Sequence, residues 1–250
     1  MLMLDRADDV HSVLWRERLD RGEGDMRLYR GIAVPSASIS SVIANMRATG
    51  LRVGQGSQWS LSSIDLKPRL QELRQANPLN FADTRTGQSV PRVCACGDEV
   101  GATYYASRHN KSGNNDAAIL IEFDADVADV IVDGRDFLYS LFQGGDPQQA
   151  RDVIKATFGE AVLHYLDRAW ATQNQEQRIA WCDLATQDND VIVAHAANKT
   201  VLGGRYNTRF RSAFMARLPV PASRITNVKH LQAPADLPDV EVSVYDLRAR

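Results

Sequence analysis

No stretch of this chain approaches the ~20 consecutive apolar residues that span a bilayer. The opening residues, Met1–Arg6, lack the long apolar core of a secretory signal. Cysteine is scarce: Cys94, Cys96 and Cys182 make 3 in 250 residues. An odd, sparse set argues against a disulfide framework and for a reducing compartment. Cys94-Ala95-Cys96 has no second cysteine pair to complete a structural zinc site. His11, His109, His164, His195 and His230 are scattered, without metal-ligand spacing. Neither sign of charge dominates: 29 basic and 31 acidic residues are well mixed, for a net charge of -2. That leaves no electrostatic footprint for duplex nucleic acid or an anionic membrane. The composition predicts a soluble protein without a membrane partner, cytoplasmic or delivered into a target-cell cytosol.

Familiar catalytic signatures are missing as well. There is no Gly-x-Ser-x-Gly elbow and no phosphate loop of the Walker type. Gly54-x-Gly56 lacks the third glycine and the helix of a dinucleotide fingerprint.

What is present is enough apolar material, 44% of the residues, for a sizeable core. Apolar spacing predicts helices over 8–19, 39–49, 66–76 and 98–107, and a long amphipathic rod whose apolar residues run from 153 to 170. Asp146-Pro147 is a good start for that rod, and 173–184 offers a further helix. Alternation or continuous apolar runs predict strands at 26–31, 90–96, 117–123, 127–132, 191–194, 210–220, 225–228 and 240–244. The economical reading is one α+β domain over 1–250, with a core at 26–232, an N-terminal helix within 1–25, and mixed or antiparallel sheets flanked by helices.

The chain is organised around Met26-Arg27-Leu28-Tyr29-Arg30-Gly31. Arg30 beside Gly31 suits an anion: a fork of donors at fixed geometry, with backbone open to close approach. The competing reading is an edge strand with a solvated arginine. Residues 51–63 hold two glycines and four serines around Trp59, a loop able to seat a polar ligand against a flat aromatic wall. Asp133-Gly134-Arg135-Asp136 is either a site or a self-satisfied turn. His195 reads as a hydrogen-bonded structural residue at a strand end.

Taken in order, Arg30 on a first strand, Ser60-Leu61-Ser62, then Ala102-Thr103-Tyr104-Tyr105-Ala106 before the strand Ile119–Phe123 form a pattern. It resembles the mono-ADP-ribosyltransferases of the arginine–serine–glutamate class. The resemblance covers roughly residues 26–123 and implies an ADP-ribosyltransferase-like fold. It implies NAD as co-substrate and a protein or nucleic-acid acceptor, as in bacterial toxins and effectors. Arg30 then binds NAD, Ser60 and Ser62 form the serine motif, and Gly31, Trp59 and Tyr105 complete the cofactor pocket.

The chain departs from the family pattern in two places. About forty residues separate Ser62 from Ala102, and Cys94-Ala95-Cys96 stands where the serine motif falls if Ser60 is not it. Asn207–Ser212, where the catalytic glutamate is expected, offers Arg209 and Arg211 instead. Asp239-Val240-Glu241 has the glutamate spacing, so Glu241 joins Arg30 and Ser60 as a catalytic candidate, with Glu122 and Glu160 as other acids. Losing such a carboxylate costs on the order of 10²–10³ in rate. The alternative function is a non-catalytic nucleotide- or partner-binding module on the same fold.

Overall fold

The computed structural model of the protein describes residues 24–54 and 60–248. The helix expected over 8–19 and the side chain of Trp59 lie outside those residues. Strand β1 (Asp25–Pro35) leads to helix α1 (Ile39–Thr49), strand β2 (Ser60–Ile64) and the short helix α2 (Leu70–Gln75). Strand β3 (Ser89–Cys96) runs into α3 (Glu99–Tyr104), which continues as a π-helical turn over Tyr105–His109. Strands β4 (Asp116–Asp126) and β5 (Val130–Val132) follow. A run of helices comes next: α4 (Arg135–Gln143), α5 (Pro147–Phe158), α6 (Val162–Trp170), α7 (Gln175–Ala185) and α8 (Asn189–Ala196). Strands β6 (Leu202–Gly203), β7 (Arg209–Phe210), β8 (Ala213–Arg217), β9 (Ile225–Leu231) and β10 (Val242–Ser243) precede a last helical turn, α9 (Val244–Leu247).

The main sheet runs β5-β8-β3-β1-β4-β9 with every pair antiparallel. β8 takes one edge of β3, so β1 and β2 share the other. β2 pairs there from Ser60–Val93 to Ile64–Ser89, and β1 meets β3 at Tyr29–Cys96. Between those two contacts the sheet forks, and the backbone of Cys94 and Ala95 faces the gap. β10-β6-β7 form a small second sheet, parallel on one side and antiparallel on the other. The fold is thus α+β, with an antiparallel main sheet, a small mixed sheet and flanking helices. No helix among the described residues is long and apolar enough to cross a membrane.

Local physics explains most elements. β4 lies between β1 and β9 and is buried along Ala117–Ile121, as its near-continuous apolar run requires. The Asp146 side chain accepts from the Gln149 amide and Pro147 opens α5. The expected rod is two helices, because Gly159 ends α5 at φ 83° and a Cβ there would lie 2.6 Å from the Ala194 methyl. The loop expected over 51–63 ends in a strand, β2, since β3 supplies partners for its backbone. The Asp133–Asp136 stretch, left open between a site and a turn, runs into helix α4, which begins at Arg135. The strand expected at 191–194 is helical: Asp188 caps α8, and Val191, Ile192 and His195 bury one face. Packing outweighs β-branched propensity there. The core also extends past residue 232, since Val244 and Leu247 of α9 are fully buried.

His195 is structural, as expected, though on a helix. Its Nδ1 lies 3.2 Å from the Thr157 carbonyl, and its Nε2 accepts from the Ala213 amide at 3.0 Å. The two contacts require the neutral ring with its proton on Nδ1. Burial pulls its pKa from 6.5 down to about 4. Because the unfolded chain takes up the proton first, this contribution is complete above pH 6.5 and is lost as pH falls toward 4. Its full loss is worth on the order of 3 kcal/mol. Urea midpoints measured across that range should fall more steeply for the wild type than for His195→Asn. Parallel slopes would contradict this role.

Candidate functional site

The site begins with a break in the apolar pattern of β1. Met26, Leu28, Ile32 and Val34 fill one face of the strand, and Arg30 takes the position between them. β1 is central rather than an edge, so the reading of Arg30 as a solvated arginine fails: it is only 7% exposed. Its Nη1 donates to the Cys94 carbonyl across the fork. Among the described residues no carboxylate lies within ion-pair distance of it. Burial lowers its pKa from the ordinary arginine value, yet a guanidinium stays charged in a protein. The other deeply buried arginine, Arg92, is treated differently: Asp65 stands 3.8 Å away and the Asp129 carbonyl accepts from its Nη1. Burying a cation without a counter-charge costs several kcal/mol.

Arg30 opens onto a cavity of about 460 Å³, within the usual range for a small-molecule site. Its walls include Tyr29, Cys94, Tyr105, His109 and Asp133. Tyr105 and His109 come from the π-helical turn, and their rings meet edge to face at 5.0 Å. Turns of this kind recur at functional sites. Burial raises the Tyr105 pKa, and its hydroxyl donates to the Arg209 carbonyl, tying the turn to β7. Asp133 follows β5, with its amide bonded to the Ala213 carbonyl at 2.8 Å. Its charge adds to the upward push that burial exerts on Tyr105 and on the Cys96 thiol. The cavity therefore sets an arginine without a carboxylate partner among the described residues and an aspartate among aromatic and thiol walls.

The structure gathers part of the set expected from sequence. Arg30, Gly31 and Tyr105 line the cavity. Gly31 serves close packing: a Cβ would lie 1.9 Å from the Ala102 carbonyl oxygen. Ser60 opens β2 beside Val93. Successive residues of a strand face opposite ways, so Leu61 lines the Arg30 cavity while Ser62 lines another, of about 500 Å³. Glu241 does not reach Arg30's cavity; its Oε1 accepts from the Val201 amide at 3.0 Å. Glu122 is paired with Arg27, and Glu160 with Lys155. Arg205, Arg209 and Arg211 do not line the cavity, although Thr208 and Phe210 do. The carboxylate that lines the cavity is Asp133, from the stretch left open between a site and a turn. Its signal was an acid and a glycine directly after an apolar strand, open to two readings.

Compared with protein-family models, curated proteins and solved structures, the chain matches none. Fold and site define it as an α+β protein whose forked sheet presents a buried arginine and an aspartate to one cavity.

Proposed function

We propose that this cavity binds NAD and that the protein is an ADP-ribosyltransferase using Asp133 in place of the family's glutamate. The observation that carries this reading is Arg30, buried in the fork without a carboxylate partner among the described residues and opening onto a cavity that Asp133 also lines. A buried cation of that kind is stabilised by an anionic ligand, and a pyrophosphate suits the planar donors of a guanidinium. Tyr105 provides a flat wall for a ring. As the bond between nicotinamide nitrogen and ribose leaves its electrons on nicotinamide, positive charge grows on the ribose, and a nearby carboxylate stabilises it. The acceptor's nucleophile then adds to that carbon and releases its proton to solvent.

Binding without turnover is the second reading, favoured by Glu241 standing outside the cavity. Isothermal titration with NAD, together with nicotinamide release, separates the two. Binding with release, both lost in Arg30→Ala, supports the transferase. Binding without release supports the module. No binding at millimolar NAD removes both.

A further inference from the structure

A second cavity, of about 880 Å³, adjoins the first: Thr208 lines both, and the consecutive residues Tyr104 and Tyr105 line one each. Tyr104, Tyr245 and Arg209 face this groove. Tyr206, 78% exposed, stands in the loop that borders it, and Tyr245 is 59% exposed. These are the two exposed aromatic rings among the large exposed hydrophobic residues of the described chain. The loop holds its ring at a cost: Tyr206 and Asn207 are consecutive left-handed residues, at φ 61° and 58°, and neither is glycine. The Arg205 guanidinium lies over the Tyr206 ring, 5.5 Å from its centroid.

Charge gives the groove a sign. Arg108 is matched by Asp236 at 3.0 Å, and Glu241 turns to the Val201 amide. Arg209 and Arg205 have no carboxylate partner among the described residues, so the groove and its lip carry unmatched positive charge. Exposed rings interleaved with unmatched arginines suit unpaired bases on a phosphate backbone, because every base offers a face to stack and every linkage an anion. A duplex hides its bases and gains nothing from the rings.

We propose that this groove binds a single-stranded nucleic-acid segment, with a base stacked on Tyr206 and a phosphate at Arg209. As the acceptor site of the transferase it rests on the NAD reading; as a binding site it does not, because it is tested without NAD.

The test is fluorescence anisotropy of a labelled mixed-sequence single-stranded RNA, its DNA counterpart, and the same sequence as a duplex. The wild type should bind a single strand in preference to the duplex, and more weakly as salt rises. Tyr206→Gly, which removes the ring and relieves the left-handed backbone, should weaken binding about tenfold. Tyr206→Phe should retain it, and Tyr206→Gly should keep a urea midpoint at or above that of the wild type, which a purely structural role for the ring does not give. Arg209→Ala should weaken binding and flatten the salt dependence. Failure of all three probes to bind, equal binding of duplex and single strand, or unchanged affinity in Tyr206→Gly would overturn the proposal. Failure here with intact nicotinamide release would leave the NAD reading standing and make the acceptor something else.

Discussion

Asp133→Asn should lower nicotinamide release by on the order of 10²–10³ while NAD affinity changes only a few-fold. The amide fills the same space and keeps an oxygen toward the cavity, but it carries no charge to set against a developing cation. NAD is itself anionic, so removing a negative charge from the wall does not weaken ground-state binding. A fall in turnover with binding unchanged is the mark of an interaction made mainly in the transition state. Equal turnover in the wild type and Asp133→Asn would remove Asp133 from the chemistry. A matching loss of affinity would make it a binding residue.

Gly31→Ala should cost at least ~3 kcal/mol, and the chain should lose its fixed tertiary structure under mild conditions. The new methyl would lie 1.9 Å from the Ala102 oxygen and 2.7 Å from the Ala106 nitrogen, both backbone atoms that no rotamer change moves aside. Relief requires lifting α3 and its π-helical turn from β1, which also breaks the bond from the Asn110 side chain to the Gly31 carbonyl. Near-ultraviolet circular dichroism and a urea titration measure the effect. Stability within ~1 kcal/mol of the wild type would show that α3 moves freely on the sheet.

Much of the fold was legible wherever one signal spoke alone. The β4 run was continuous, α1 ran up to a glycine, Gly50, which ends it at φ 73°, and α5 had its Asp-Pro start. Reading failed where long-range contacts decide. β2 is rich in serine and becomes a strand because β3 lies beside it. Val191, Ile192 and Val193 are β-branched and apolar, yet the buried residues here, Val191, Ile192 and His195, share a helix face. The site was half legible. Arg30 stood out as a charge inside an alternating strand, whereas Asp133 needed the geometry that brings the end of β5, two strands away across β8 and β3, to the wall of the same cavity. Glu241 had the family's spacing in sequence, yet its carboxylate lies outside Arg30's cavity. A two-residue interval records nothing about which sheet the second residue joins.

The measurement closest to the central claim is thermal unfolding of the wild type and Arg30→Met, each with and without NAD. If Arg30 is held for an anion, methionine fills its inward position without a buried charge, and the bare variant melts at or above the wild type. NAD then raises the wild-type melting temperature, since a ligand that binds only the folded state stabilises it, and leaves Arg30→Met unmoved. A variant that melts well below the wild type, with the same response to NAD in both proteins, would contradict the account and make Arg30 a structural residue.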